Sequence, residues 1–162
     1  MTSRIRAMFV AAIVSLGFAV GAQAANVVGS SGLLNASDAN QIETWLGQGS
    51  VQFDNVFTKV SGSTSTDFHA AADGKGATIS IFSVAYGNGS QALIGGYNPS
   101  SWNAGLSNYN YTFAGGAFLF NLTSGLVQQQ RAGMPYQTYN NVTYGPTFGG
   151  GVDLYATTVV SG

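Results

Sequence analysis

Short extended segments separated by turn residues dominate the second half of the chain and limit what it can fold into. Residues 78–86 and 91–97 are rich in apolar, β-branched and aromatic side chains, and Gly87-Asn88-Gly89-Ser90 links them. Two such segments joined by a short glycine-containing link are typical of a β-hairpin. Four other runs have the composition of strands: 53–60, 117–122, 136–144 and 152–160. The pattern therefore predicts at least five strands.

Two short helices are predicted ahead of most of the strands. In residues 33–47 the apolar side chains recur at helical spacing, Asn35 is placed to cap the first turn, and Gly47 is placed to end the helix. Ser65 is placed to cap a second, shorter helix that Gly74 ends. Together these elements predict a mainly β (α+β) fold, an antiparallel β-sandwich with two short flanking helices.

The segments between the later strands are polar or rich in turn residues. Residues 98–110 are predicted to be irregular, and 126–135 is predicted to be a polar loop. The glycine-rich run 145–151 is expected to interrupt regular structure, because glycine suits tight turns and bulges that other residues avoid. This run lacks the Gly-Lys-Ser/Thr sequence of a nucleotide-binding loop, which favours a turn over a phosphate site.

The first 24 residues have the pattern of a secretory signal peptide. Arg4 and Arg6 give a positive start, residues 7–20 are uncharged and apolar, and Ala22-Gln23-Ala24 has the small-x-small pattern of a cleavage site. A membrane anchor is the alternative, but spanning a bilayer takes about 20 apolar residues. We therefore expect an exported protein, periplasmic or extracellular, in which residues 25–162 form one domain without a transmembrane segment.

The expected mature chain carries few charges. Two of the five basic residues lie in the signal segment, so Lys59, Lys75 and Arg131 face six acidic residues and give a net charge of −3. Only 7% of the whole chain is charged, against about 25% in ordinary domains. So few basic residues exclude a polybasic nucleic-acid binder. The absence of cysteine from the sequence excludes disulfides and thiolate chemistry.

His69, the only histidine, is the one candidate for chemistry that needs an imidazole. Asp73 lies four residues further along the second helix, so the two side chains can meet on one face, and Asp153 is a more distant candidate. No Gly-x-Ser-x-Gly nucleophile motif accompanies them. The alternative is a structural histidine bonded near the end of a short helix. The balance favours a protein without catalytic activity and leaves a hydrolase using His69 and Asp73 as the alternative.

Other kinds of catalytic or metal site lack the residues they need. Glu43 is the only glutamate, and the aspartates show no spacing that pairs two carboxylates as a glycosidase requires. A zinc site needs several His or Cys ligands, and a calcium loop needs clustered Asp residues. Neither pattern occurs in the sequence, so we expect no metal and no cofactor.

An aromatic and amide-rich stretch offers one candidate binding surface. Tyr97, Trp102, Tyr109 and Tyr111 lie among Asn, Ser and Gly residues, a composition that resembles sugar-binding faces, where rings stack and amides form hydrogen bonds. The same residues also suit strands and half-buried loops, which is the simpler interpretation. A carbohydrate-binding module using these exposed aromatics is therefore an alternative function.

Several short segments occur in one order along the chain. They are Leu33-Leu34, Trp45-Leu46-Gly47, Phe57-Thr58-Lys59, Phe68-His69, Gly76-Ala77-Thr78-Ile79, Gly95-Gly96-Tyr97 with Trp102, Phe118-Leu119-Phe120-Asn121-Leu122, and Gly145-Pro146-Thr147-Phe148-Gly149-Gly150-Gly151-Val152-Asp153-Leu154. This ordered set, which spans about residues 33–155, resembles the TLDc (TLD) domain family. With its signal-like start, the chain is similar to the exported bacterial members.

The resemblance implies a β-sandwich flanked by helices and no securely assigned reaction. Eukaryotic members are linked to protection against oxidative damage and to binding of the vacuolar proton pump. Many members carry a cysteine shortly after Phe-His, where this chain has Ala70-Ala71-Ala72, so thiol-based protection is not expected. Members usually continue for some tens of residues beyond the glycine-rich motif, so the resemblance implies that the domain is truncated at Gly162 or completes one sheet differently.

The function expected from the sequence is that of a secreted, non-catalytic TLDc-like binding or protective module, linked to oxidative-stress resistance. Its partner would be an unidentified protein or glycan. The residues of the last motif, Gly145, Pro146, Phe148, Gly149, Gly150, Gly151 and Asp153, are expected to serve structure.

Overall fold

The computed structural model describes residues 25–29 and 32–156, so the predicted signal peptide and the end of the last predicted strand lie outside the described residues. The chain forms two compact units, Met1–Asn55 and Val56–Gly162. The described residues contain ten strands and two helices, which confirms the predicted class. Among them, no helix has the length and apolar character needed to cross a membrane.

The first unit contains a parallel strand pair. β1 (Asn26–Val28) pairs with β2 (Gln52–Asp54), and α1 (Ala36–Leu46) lies between them in the sequence. A parallel pair needs a crossover connection, and α1 provides it. The strand predicted over 53–60 is mostly wrong, because only its first two residues belong to a strand.

Both ends of α1 form as the sequence predicts. The Asn35 side chain accepts a hydrogen bond of 2.9 Å from the Asp38 backbone N–H, which satisfies a donor that the first helical turn leaves free. Gly47 ends the helix in the left-handed conformation, with φ of 63°. Ala39 and Ile42 form the fully buried side of the helix.

The second helix, α2 (Ser65–Ala72), is the first helix or strand of the second unit and begins with a capping box. Thr64 Oγ1 accepts the Asp67 N–H at 3.2 Å, and Asp67 Oδ2 accepts the Thr64 N–H at 2.8 Å. The predicted cap at Ser65 is wrong by one residue, because only Thr64 has an acidic side chain three positions later. Gly74, the predicted stop, follows the helix in the left-handed conformation.

One antiparallel sheet of the second unit has the strand order β3-β4-β6-β7. β3 (Thr78–Ala85) and β4 (Gln91–Asn98) form the predicted hairpin, and β6 (Phe118–Asn121) lies within the predicted strand at 117–122. β7 (Leu126–Gln129) lies where a loop was predicted. That prediction is wrong because β7 is an edge strand with mostly exposed side chains, two apolar followed by two polar, which show no hydrophobic alternation.

The other antiparallel sheet has the strand order β10-β9-β8-β5. Its strands are β5 (Asn108–Tyr111), β8 (Tyr136–Asn140), β9 (Thr147–Phe148) and β10 (Leu154–Tyr155). β8 and β10 lie within predicted strands, whereas β5 and β9 lie in segments predicted to be irregular. Those two predictions are wrong because Asn, Gly and Pro lower strand propensity, while pairing with β8 holds both segments extended.

Aromatic side chains fill the core of the second unit. The Trp102 ring meets Phe68 of α2 at 5.5 Å and Phe148 of β9 at 5.6 Å between centroids, both edge to face. Phe148 also lies over Gly96 of β4, where an added Cβ atom would be 2.7 Å from the ring. The two sheets approach each other at this glycine, as the predicted sandwich requires.

The close approach at Gly96 predicts that even one added methyl group destabilises the fold. We expect Gly96→Ala to lower the free energy of unfolding by about 1–3 kcal/mol, because Phe148 cannot move without disturbing Trp102. Gly87→Ala is the matched control: its added Cβ would meet no atom within 4 Å, so we expect a change within about 0.5 kcal/mol. Urea unfolding of both variants tests this prediction, which equal midpoints would contradict.

The capping box predicts that α2 weakens in acid. Hydrogen bonds from the backbone N–H and then the hydroxyl of Thr64 hold the pKa of Asp67 below its ordinary value. Its stabilising effect is therefore complete above the unfolded-state pKa and is lost as the pH falls through the lower folded-state pKa. We expect Asp67→Asn to flatten the acid side of a plot of urea midpoint against pH. An acid side as steep as that of the wild type would contradict this role.

Candidate functional site

His69 and Asp73 are in direct contact on α2. His69 Nδ1 lies 2.7 Å from Asp73 Oδ1, and Asp73 Oδ2 accepts the Ala104 N–H at 2.7 Å. On the other side of the ring, His69 Nε2 lies 3.0 Å from the carbonyl oxygens of both Asn141 and Tyr144. The histidine is only 4% exposed.

Every atom that faces the ring nitrogens of His69 is a hydrogen-bond acceptor. Both ring nitrogens are therefore engaged by groups of the protein itself. A general base must lie within hydrogen-bond reach of the substrate proton that it takes, and neither ring nitrogen is open to a substrate. The contacts instead attach the turn after β8 to helix α2.

Asp153, the third catalytic candidate, lies in the turn between β9 and β10. Its carboxylate lies so close to Gly149 that an added Cβ there would collide with it. Within 25–29 and 32–156, no hydrogen bond or ion pair connects Asp153 with His69 or Asp73. The same residues hold no group of three or more His, Asp or Glu side chains that could bind a metal.

The glycine-rich run forms a short strand followed by a tight turn. Phe148 points into the core, and Gly149 adopts a positive φ of 81° as the chain turns. Val152 also adopts a positive φ, 61°, which is strained for a β-branched residue. The Asp153 N–H closes the turn by donating to the Phe148 carbonyl at 2.9 Å.

Two of the four aromatic candidates are core residues. Trp102 is 1% exposed and donates its Nε1–H to Thr78 Oγ1 at 2.8 Å. Tyr97 is also buried, with its ring 5.1 Å from that of Phe118. Neither ring offers a free face to a ligand.

The other two candidates belong to a larger surface cluster. Tyr109 and Tyr111 of β5 contact two rings of β8 and one ring of the loop after β5, and a β8 ring contacts a further ring in the loop after β8. The centroids are 4.8–5.6 Å apart at successive contacts. We call this cluster the tyrosine face; in order of contact its members are Phe113, Tyr111, Tyr136, Tyr109, Tyr139 and Tyr144. Phe113 is 66% exposed and Tyr111 is 58% exposed, which is unusual for large rings.

The opposite side of the same strand pair is polar and buried. Thr138 and Asn140 are completely buried on β8. Asn110 of β5 joins them, donating to Thr138 Oγ1 at 2.7 Å and accepting from Asn140 Nδ2 at 3.1 Å. The usual alternation of apolar-in and polar-out is therefore inverted in β5 and β8. Because exposed aromatic patches are typical of binding sites, the aromatic side is a candidate interaction surface.

An open groove of about 700 Å³ adjoins the tyrosine face at Tyr136, which belongs to both. Its apolar lining includes Phe118, Leu119, Met134 and Phe148. Its polar lining comprises Gln128, Gln129, Gln130, Arg131, Gln137 and Asp153. The Arg131 guanidinium and the Asp153 carboxylate have no hydrogen bond or ion pair with any described residue.

Gln137 reaches the groove because of a β-bulge. The pairing of β5 with β8 shifts register between Asn110 and Tyr111, and Gln137 turns inward, where it is 2% exposed. Its Nε2 donates to the Gly115 carbonyl at 2.9 Å and to Gln130 Oε1 at 2.8 Å. Its Oε1 is buried and accepts no hydrogen bond from the described part of the chain.

Most of these surface residues lie outside the stretch in which the sequence predicts a binding surface. Phe113, Tyr136, Tyr139 and Tyr144 join the tyrosine face only because β5 pairs with β8. The one local signal was the alternation Tyr109-Asn110-Tyr111. Gln137 carried no signal, since the bulge that turns it inward depends on the partner strand.

The family model described as TLDc domain matches residues 27–161, which is most of the chain. No significant match was found among curated proteins or among solved structures.

The His69 contacts predict a stabilising role that can be measured. We expect His69→Gln to lower the free energy of unfolding by about 2 kcal/mol, because hydrogen bonds to charged groups contribute about 1.5–3 kcal/mol each. Ala70→Gln puts the same side chain at the next, exposed position of α2 and should change stability by less than about 0.5 kcal/mol. Urea unfolding of the two variants and the wild type measures these changes. Equal midpoints for His69→Gln and the wild type would contradict the stabilising role.

Proposed function

The chain belongs to the TLDc domain family, and from that premise we propose that the protein is an exported binding module without catalytic activity of its own. The observation that carries the proposal is the inverted strand pair β5–β8. Large rings are kept in water on one side while amide and hydroxyl groups are buried on the other. Exposed aromatic surface of this kind is costly unless a partner covers it.

Tyrosine is well suited to this role. Each ring offers a large, rigid and amphipathic contact area while losing little conformational freedom on binding. Tyr111 and Tyr136, which are neighbours in the tyrosine face, are 58% and 44% exposed, so a partner could cover both. The network of Asn110, Thr138 and Asn140 beneath them holds their backbone in place before binding.

A catalytic role has less support. The hydrolase alternative needs His69 to accept a proton, yet both of its ring nitrogens already face acceptors. Asp153 does not support the hydrolase alternative either, because no hydrogen bond or ion pair connects it with His69. Export is supported by the signal-like pattern of the first residues, with the periplasm or the extracellular space as the destination.

A protective role is compatible with the binding role. TLDc-family modules are often linked to oxidation resistance. Since this sequence contains no cysteine, such protection would depend on what the protein binds and not on a reactive thiol. We therefore propose that the tyrosine face is also required for any oxidative-stress resistance that the protein confers.

Substitutions on the tyrosine face test the binding role. We expect immobilised wild-type protein to retain a component of periplasmic or extracellular fractions, and the Tyr111→Ala/Tyr136→Ala variant to retain at least tenfold less. Loss of two well-packed aromatic anchors is enough for this effect, since such anchors dominate binding energies. Circular dichroism should show that the variant remains folded.

Tyr86→Ala is the matched control, because Tyr86 is 49% exposed and lies outside the tyrosine face. It should retain the component as the wild type does. Equal retention by the face variant would place the binding surface elsewhere. Substrate turnover by the purified wild-type protein, abolished by His69→Gln in folded protein, would overturn the non-catalytic part of the proposal.

A further inference from the structure

We propose that the tyrosine face and the adjoining groove together bind a single chain of a neutral, hydroxyl-rich polysaccharide. This inference rests on the proposed function, in which the tyrosine face is the binding surface. It adds the chemical class of the ligand. Three properties of the surface support this inference: its aromatic character, its net charge close to zero, and the hydrogen-bonding groups of the groove.

The rings of the tyrosine face form a ladder of successive contacts, and this ladder suits the apolar faces of sugar rings. Sugars present C–H groups on their faces, which pack against the electron-rich faces of aromatic rings. The ladder makes five successive ring contacts of 4.8–5.6 Å from Phe113 to Tyr144, so it can contact several sugar units in a row. Tyrosine hydroxyl groups can form hydrogen bonds with the hydroxyl groups at the sugar edges.

The shape of the ladder favours one kind of chain. Neighbouring rings are inclined to each other by 52° to 87°, so the tyrosine face is corrugated. A flat crystalline polysaccharide would touch only the edges of such a surface. A single soluble chain that twists from unit to unit can present a sugar face to each ring in turn.

The charges around the site select against an anionic ligand. None of the six members of the tyrosine face is a Lys, Arg, Asp or Glu residue. Polyanions are bound by clusters of Lys and Arg, whereas Arg131 is the one basic residue in the lining of the groove, and Asp153 lies in the same lining. The net charge at the site is therefore close to zero, as an uncharged ligand requires.

The groove supplies further polar contacts. Gln137 Oε1 is buried and accepts no hydrogen bond from the described residues, and a ligand hydroxyl at the base of the groove would supply one. The Arg131 and Asp153 side chains have no hydrogen bond with any described residue, so they can donate to and accept from further hydroxyl groups. The groove is continuous with the ladder, because Tyr136 belongs to both and Tyr109 donates its hydroxyl to the Gly150 carbonyl at 3.3 Å.

The test uses the mature chain and isothermal titration with maltohexaose, laminarihexaose, xylohexaose and cellohexaose, with polygalacturonate as the anionic comparison. We expect at least one neutral hexasaccharide to bind and its disaccharide to bind at least tenfold more weakly, because a longer chain reaches more rings. We expect little binding of polygalacturonate and little retention on crystalline cellulose.

Variants identify the site of binding. The Tyr111→Ala/Tyr136→Ala variant should bind the hexasaccharide at least tenfold more weakly than the wild type. Asp153→Asn or Arg131→Ala should weaken its binding at least threefold. Tyr86→Ala should bind as the wild type does. No binding of any neutral hexasaccharide, or equal binding by the face variant, would overturn the inference.

The same titrations separate this inference from the proposed function. If the tyrosine face retains a protein and binds none of the sugars, the binding module stands and the polysaccharide inference fails. If the Tyr111→Ala/Tyr136→Ala variant binds every partner as well as the wild type does, both the proposed function and the polysaccharide inference fail. Preferential binding of polygalacturonate that salt abolishes would also overturn the inference, because it would show recognition of charge.

Discussion

The packing of Trp102 is the interaction on which the second unit depends. Its ring contacts Phe68 of α2 and Phe148 of β9, and its indole N–H donates to Thr78 at the start of β3. Its carbonyl accepts the Gly74 N–H at 3.2 Å. One residue thus connects the helix with both sheets through side chain and backbone. The loop that carries it has little regular pairing of its own, so this anchor fixes its course.

The positions of the surface groups follow from that anchored core. Asp73 pairs with His69 and also accepts the Ala104 N–H, which lies two residues beyond Trp102. Through His69 the same helix holds the turn that carries Tyr144. Buried polar networks of this kind rigidify a structure when each member is satisfied. Gln137 Oε1 and Asn98 Nδ2 are buried without a hydrogen-bond partner among the described residues of this unit. Of these two residues, Gln137 lines the groove, where the proposed ligand would lie.

How much could be predicted from the sequence depended on the range of the interactions. The caps of α1, the hairpin of β3 and β4, and the contact of His69 with Asp73 involve residues close in sequence, and local patterns predicted all three. β5, β7 and β9 are held by strands whose pairing their own composition does not reveal. Trp102 and Tyr109 have similar sequence surroundings, yet one is buried and the other lies at the surface. Only the distant partners Phe68 and Phe148 decide that difference.

The tyrosine face is assembled from two separate stretches of chain, residues 109–113 and 136–144, with the β6–β7 hairpin between them. An unfolded chain therefore contains the tyrosines but not the proposed binding surface. Pairing between distant strands is slow compared with the formation of local hairpins, so we expect the site to be among the last features to form. A chain that crosses a membrane in extended form would carry no ligand with it. It would become competent to bind only after folding at its destination.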